Sequence, residues 1–155
     1  MSVVKNLGRG YLLVPYEPWH SEVMNVRGEN MQSEFHARSL MAPHMGPCVT
    51  LYSPQRMPIA CFGLMVVMRG TAEVWVLADK KISKTPKTLI KAAKWALEEG
   101  CKRYSIYRVQ ASIDKDAVVR RRWAEFMGFH AEGFMPRFGP DGETYVRYVR
   151  FMDKN

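Results

Sequence analysis

Between Ala72 and Gly100 the sequence sets an apolar strand, AEVWVLA, then a lysine-rich loop, KKISK, then a helix opening on Thr85-Pro86. A strand delivering the chain to a helix N-terminus among lysines aims free backbone N–H groups and positive charge at one point. That arrangement holds phosphate or pyrophosphate. Lys81, Lys84 and Lys87 would contribute charge there, and Ser83 and Thr85 their hydroxyls. A phosphate-bearing ligand is the expectation.

The elements that must position this loop are readable on either side of it. Thr85 can cap the helix, Pro86 suits its first position and Gly100 stands just past a last turn, so the spacing predicts a helix over 86–99. Leu89, Ile90, Ala93, Ala96 and Leu97 recur at helical spacing and form its packed face, with Lys87, Lys91 and Lys94 opposite. Upstream, Tyr11–Val14 reads as a first edge strand, and helices are predicted at 18–27 and 30–41, the second ended by Pro43. Residues 48–78 predict a three-stranded antiparallel meander whose third strand is AEVWVLA.

Downstream, 104–113 predicts a strand, and 114–127 a helix with Val119, Trp123, Phe126 and Met127 turned inward and Gly128 as its cap. FHAEGFM and ETYVRYVRF close the chain as two strands joined across Pro140-Asp141-Gly142. The predicted order is therefore β, two helices, three strands, helix, strand, helix, two strands. At 155 residues, 47% of them apolar, the chain suits a single domain spanning 1–155.

No apolar run reaches the length of a membrane span and the first ten residues carry no hydrophobic signal core, which predicts a soluble protein of the cytoplasm. Cys48, Cys61 and Cys101 are odd in number and widely spaced, the pattern of reduced, mostly buried thiols rather than of zinc ligands. The net charge of +8 favours an anionic partner: a nucleic acid, an acidic protein surface or a polyphosphate cofactor. Arg120, Arg121 and Arg122 suit backbone phosphates, but Trp95 and Trp123 fall at core spacing and no helix-turn-helix, zinc-finger or RNP-type signature is present.

From Ile59 to Phe151 the chain resembles the GCN5-related N-acetyltransferases, the GNAT superfamily, and residues 1–58 fit that family's opening more loosely. The motif is VQASIDKDAVVRRRWAEFMGFHAEGFM, a strand, a helix ending in Gly128-Phe129 and a further strand, placed after the 72–113 block. The resemblance implies an α/β (α+β) fold: a mixed, mostly antiparallel sheet of about seven strands flanked by about four helices. It also implies acetyl-CoA as cofactor, its thioester arm along Val76, Leu77 and Ala78 and its pyrophosphate on the amides between Lys80 and Lys87. Glu73 matches the strand on which some members carry a catalytic glutamate, the base that takes a proton from the acceptor ammonium. His36 and His130 are weaker candidates for that role.

Two departures from the family pattern bear on activity. The loop KKISKTP has no glycine, where the family spaces glycines to bring backbone close to phosphate. Ala124 occupies the place of a tyrosine able to protonate the departing thiolate, leaving Tyr104, Tyr107 and Tyr145 as substitutes. The leading reading is transfer of an acetyl group to a primary amine of a small molecule or protein. The alternative is a catalytically inactive GNAT-like structural or interaction protein, by analogy with phage-encoded, virion-associated proteins. The acceptor would meet 18–42 and 134–147, and the scattered Glu17, Glu22, Glu29, Glu34 and Glu143 could attract an amine.

Overall fold

A computed structural model describes residues 2–24, 32–80, 82 and 85–153, with backbone alone for 32–38. In chain order the elements are β1 (Lys5–Gly8), β2 (Tyr11–Pro15), α1 (Pro18–Val23), α2 (Gln32–Met45), β3 (Cys48–Tyr52), β4 (Pro58–Met68) and β5 (Thr71–Ala78). They continue with α3 (Pro86–Arg103), β6 (Arg108–Asp114), α4 (Val118–Phe126), β7 (His130–Met135) and β8 (Tyr145–Phe151). The eight strands form one sheet in the order β1-β2-β3-β4-β5-β6-β8-β7. The fold is the expected mixed, mostly antiparallel α+β class, with one strand more than the seven anticipated.

The extra strand is β1, which pairs antiparallel with β2. Tyr11–Pro15 is therefore an inner strand, not the edge. Only Leu7 of KNLG is buried, so β1 has no alternation to betray it. β4, with 11 residues, is the longest strand. It joins β5 through Arg69-Gly70, a two-residue connection that only antiparallel strands can use.

The chain divides into two compact units, Met1–Met65 with Trp75–Gly100, and Val66–Val74 with Cys101–Asn155. In the first, Tyr16, Met24, Ala42, Cys61 and Leu77 form one buried cluster and Leu12, Val14 and Tyr52 another. In the second, Ile106, Val109, Met127, Phe129, Val146, Tyr148 and Val149 are buried. Cys61 and Cys101 are buried, Cys48 is half-buried, and none of the three is in a disulfide.

Several boundaries depart from the sequence reading, each for a local reason. α1 stops at Val23 and α2 runs on through Pro43 to Met45. Proline lacks the N–H that would bond the carbonyl four residues back. That carbonyl, on Ser39, instead accepts the Tyr16 hydroxyl at 3.2 Å, which lets the helix carry its proline.

α3 extends past Gly100 to Arg103, and its cap is Ser105, at φ 53. Ile106 N–H bonds Cys101 O and Ser105 N–H reaches Lys102 O, the two bonds of a Schellman ending. Gly100 is helical because space is short: a Cβ there would meet Leu64 Cδ1 at 3.2 Å and Pro47 Cγ at 3.4 Å. Residues up to Ile106 serve this ending and Tyr107 N–H turns to Gly70 O, so the strand starts at Arg108 rather than 104.

α4 begins at Val118, not 114, because β6 runs to Asp114 and the Asp114 carboxylate then takes Asp116 N–H in a turn. Its end was correctly read: Gly128, at φ 90, bonds Glu125 O, and Phe129 N–H bonds Ala124 O. Of the four side chains expected inward, Met127 is buried and Trp123 partly so, but Val119 and Phe126 are exposed. What turns α4 this way is polar: Arg121 Nε donates to the buried Tyr148 hydroxyl at 3.0 Å, and that hydroxyl donates to Glu125 Oε1 at 3.3 Å.

Candidate functional site

In the second unit β5 pairs with β6 in parallel over three residues, Thr71, Ala72 and Glu73 against Arg108, Val109 and Gln110. β6 pairs antiparallel with β8, and Ser112 stands opposite Arg147. Side chains on successive strand residues alternate between faces. Glu73, Arg108, Gln110, Ser112 and Arg147 accordingly share the face opposite that of Tyr148, away from α4.

There they form one polar row. Glu73 Oε2 accepts from Gln110 Nε2 at 3.2 Å and from Arg147 Nη1 at 3.2 Å, while Glu73 Oε1 accepts from Ser112 Oγ at 2.9 Å. The Gln110 carbonyl oxygen accepts from Arg108 Nε at 3.2 Å. Arg108 holds Glu132 with both terminal nitrogens, at 2.8 and 2.6 Å. That fork of charged hydrogen bonds keeps the Glu132 carboxyl below the ordinary carboxylate range and raises the Arg108 guanidinium further.

The two oxygens of Glu73 are not equivalent. Oε2 has two donors and is filled; Oε1 has one and keeps a lone pair for another. Of the three neighbours, only the Ser112 hydroxyl can reverse its bond and accept, since guanidinium and amide N–H groups only donate. Glu73 and Arg147 have side-chain exposures of 24% and 21%, enough for a small ligand to reach them. The row can therefore hold a cation at Oε1 and receive a proton there, Ser112 reorienting as it does so.

The phosphate-binding candidates fall in the first unit. Val76 is exposed, Leu77 buried and Ala78 half-buried on β5. Lys81, Ser83 and Lys84 lie outside the described residues. Around them, Ile82 N–H bonds Asp79 O and Thr85 N–H bonds Ile82 O, so those two amides are already used. Thr85 caps α3 through its carbonyl, which accepts Leu89 N–H at 3.1 Å. Pro86 has no N–H, which leaves Lys87 and Thr88 as the first-turn amides of α3 without a helical partner. Lys87 is exposed and the first turn carries no acidic residue, a composition fit for an anion.

Of the tyrosines weighed as proton donors, Tyr104 is exposed and Tyr107 lies against Gly70. Tyr145 stacks with Phe138 at 5.2 Å on the face shared with Arg147, its hydroxyl pushed up by burial. Tyr148 reaches α4 near Ala124, but it is sealed from solvent and bonded on both sides. His130 is exposed with its ring against Phe151, and the side chain of His36 falls outside the description. Arg121 is engaged with Tyr148, while Arg120 and Arg122 are exposed. Among the described residues no cluster of His, Cys, Asp and Glu can hold a metal, and no helix is long and apolar enough to cross a membrane.

Sequence reasoning found Glu73 and missed its three partners, Gln110, Ser112 and Arg147. The signal was present in β6, where Arg108, Gln110, Ser112 and Asp114 alternate with Val109, Ala111 and Ile113. Read at period two, that strand shows a polar face.

The first unit holds a second buried network. Glu17 N–H donates to His20 Nδ1 at 3.1 Å, so that nitrogen is the acceptor and the ring proton sits on Nε2, 2.9 Å from the Tyr52 hydroxyl. Thr50 Oγ1 lies 2.7 Å from the same Nδ1 and 3.5 Å from Cys61 Sγ. His20 is 1% exposed, and burial holds its pKa below the ordinary histidine value. It is a neutral structural histidine.

No family model matches the chain, and no curated protein sequence is similar to it. Solved structures are similar to it in fold. A GNAT-family acetyltransferase from Bacillus anthracis superposes with a TM-score of 0.72 at 14% identity, covering 93% of this chain and 96% of that one. A ribosomal-protein-S5-alanine acetyltransferase from Vibrio fischeri gives 0.71 at 10% identity, with 94% and 95% covered. A variant of the spermidine N-acetyltransferase SpeG from Vibrio cholerae gives 0.69 at 11% identity, with 93% and 95% covered. The chain has the GNAT fold over nearly its whole length.

Proposed function

We propose that this protein transfers an acetyl group from acetyl-CoA to a primary amine, with Glu73 as the group that binds the acceptor ammonium and removes its proton. The observation that carries this reading is the polar row: the parallel ladder of β5 and β6 stops at Glu73, and the carboxylate there keeps one lone pair open beside a hydroxyl that can reverse its bond. An ammonium seated on Oε1 gives up its proton to the carboxylate and becomes a nucleophile. Arg147 and Gln110 fix the other oxygen, so the carboxylate is oriented before the acceptor arrives.

The pyrophosphate would rest on the Lys87 and Thr88 amides at the α3 N-terminus, beside the Lys87 charge and the Thr85 hydroxyl; Lys81, Ser83 and Lys84 are assigned to it from the sequence alone. The backbone of Val76, Leu77 and Ala78 would take the pantetheine arm. Acetyl-CoA would supply the acetyl thioester that the freed amine attacks, with the CoA thiol as leaving group. Relatives of like fold are described as acting on spermidine and on a ribosomal protein, which supports an amine acceptor in general.

Calorimetric titration with acetyl-CoA and CoA tests the reading. A ligand that binds only the native state at 100 times its dissociation constant adds about 2.7 kcal/mol of stability, a readable thermal shift. Absence of heat and of any shift at millimolar acetyl-CoA would sink it.

A further inference from the structure

Arg147 is committed to Glu73 through one terminal nitrogen and is poorly engaged through the other. Nη1 donates to Glu73 Oε2 at 3.2 Å, whereas Nη2 donates to Met135 Sδ at 3.6 Å. A thioether is a weak acceptor for so strong a donor. The other guanidinium N–H groups have no protein acceptor among the described residues. Glu143, the acid nearest in sequence, folds onto Asp141 N–H instead. The row therefore holds an open site for an anion as well as the open lone pair of Glu73.

The strand pairing sets the two sites side by side. Ser112 stands opposite Arg147, and Met135 lies on the strand beyond, opposite Tyr145. Across the order β5-β6-β8-β7, Glu73 Oε1 and Ser112 come first and the Nη2 edge of Arg147, toward Met135, follows. An ammonium on Oε1 and a carboxylate on Nη2 would close a ring of alternating charges with the Glu73–Arg147 pair. On this face the charges already cancel, Glu73 against Arg147 and Glu132 against Arg108, while Asp114 bonds Asp116 N–H. A zwitterion adds no net charge to such a row; a simple amine adds one and a polyamine several.

Beside Arg147 the surface turns apolar. Tyr145, next along β8 on the same face, meets Phe138 with ring centroids 5.2 Å apart, and Phe138 is 51% exposed. Aromatic rings left open next to a charged fork suit a ligand whose charged end sits on the fork.

We infer that the acceptor is a free amino acid with an aromatic or large apolar side chain, its carboxylate on Arg147 and its side chain against Tyr145 and Phe138. The inference rests on Glu73 as the proposed seat of the acceptor ammonium. Arg147 then has two tasks: Nη1 orients the base, and Nη2 selects the acceptor by exchanging the Met135 sulfur for a carboxylate. Amines without a neighbouring carboxylate leave that sulfur bond in place and gain nothing from Arg147.

Calorimetry of the full chain with L-phenylalanine, L-phenylalaninamide, phenethylamine and spermidine, each with and without CoA, tests this. L-Phenylalanine should bind at least about tenfold more tightly than the ligands lacking a carboxylate, the effect of one hydrogen bond to a charged group. Arg147→Gln should bring L-phenylalanine level with phenethylamine, and Arg147→Lys, which keeps the charge without the fork, should restore part of the difference. Phe138→Ala, at an exposed site, should weaken L-phenylalanine and leave L-alanine unchanged. Equal or tighter binding of phenethylamine overturns the inference, as does failure of L-phenylalanine to bind in either condition. L-Phenylalanine bound by a chain that gives no heat with acetyl-CoA would keep the amino-acid site and remove acetyl transfer. Acetylation of phenethylamine and L-phenylalanine at equal rates would do the reverse.

Discussion

Arg147 Nη1 lies 3.2 Å from Glu73 Oε2, so the carboxylate best placed to meet an amine is already held by a cation on its far oxygen. On the proposed reading the acceptor therefore approaches Oε1, the side of Ser112. Replacing Glu73 with Gln keeps the size and removes the proton acceptor. We expect turnover to fall by roughly 10²- to 10⁴-fold, the usual contribution of general-base catalysis. Acetyl-CoA affinity, read by calorimetry, should not change; a normal rate in the Gln variant would remove Glu73 from the mechanism.

The cofactor loop gives a complementary outcome. Lys81→Ala combined with Lys84→Ala should weaken CoA binding by at least tenfold, since a hydrogen bond to a charged group contributes about 1.5–3 kcal/mol. Dephospho-CoA keeps the pyrophosphate and should lose affinity in the same proportion. Equal affinity of the double variant and the wild type would place the pyrophosphate elsewhere.

His20 makes stability depend on pH. Burial lowers its folded pKa below the ordinary histidine value of about 6.5, so the folded state binds that proton less readily than the unfolded one. The neutral ring's contribution is complete above the unfolded pKa and is lost as pH falls toward the folded value. Melting temperature should decline as the pH drops below about 6.5, before carboxylates titrate. His20→Gln, which does not titrate, should flatten that limb, and an unchanged slope would assign it to other groups.

Trp75 lies across Gly63 on the neighbouring strand, where an added Cβ would clash with Cε2, Cζ2 and Nε1 of the indole. Gly63→Ala should displace the ring, cost about 1–3 kcal/mol as overpacking and shift the tryptophan fluorescence. Unaltered emission and melting would show that the ring yields freely.

Burial pushes the Cys48 thiol up to about 11 and the Cys61 thiol up to about 12, leaving little thiolate at neutral pH. Native protein should react with Ellman's reagent far more slowly than the unfolded chain, so thiol released in a transfer assay can be counted against a low background. Rapid release of three equivalents from the native protein would contradict this.

Much of the architecture was legible because strong local signals agreed with it. Pro86 opens and Gly128 closes a helix as expected, and the apolar runs of 48–78 and 145–151, set between turn residues, are strands. Misreadings arose where a distant group overrode the local rule. Tyr16 supplied the bond that Pro43 left open, Leu64 and Pro47 required Gly100 inside a helix, and Tyr148 turned α4 against its apolar pattern. In the site, Glu73 could be found by its strand, but its partners could not. They come from β6 and β8, and only the sheet register shows which residues stand opposite.

The amide of Gln110 serves its neighbours in one orientation only, oxygen to Arg108 and nitrogen to Glu73. Backbone pairing over three residues specifies the parallel ladder of β5 and β6 weakly, and a slip by one would set Val109 or Ala111 beside Glu73. Such a slip would part Glu73 from Arg147 and leave both charges unpaired, while Arg108 kept Glu132. The polar row thus acts as a lock on strand alignment, and the chain cannot assemble its sheet in register without also assembling its candidate base.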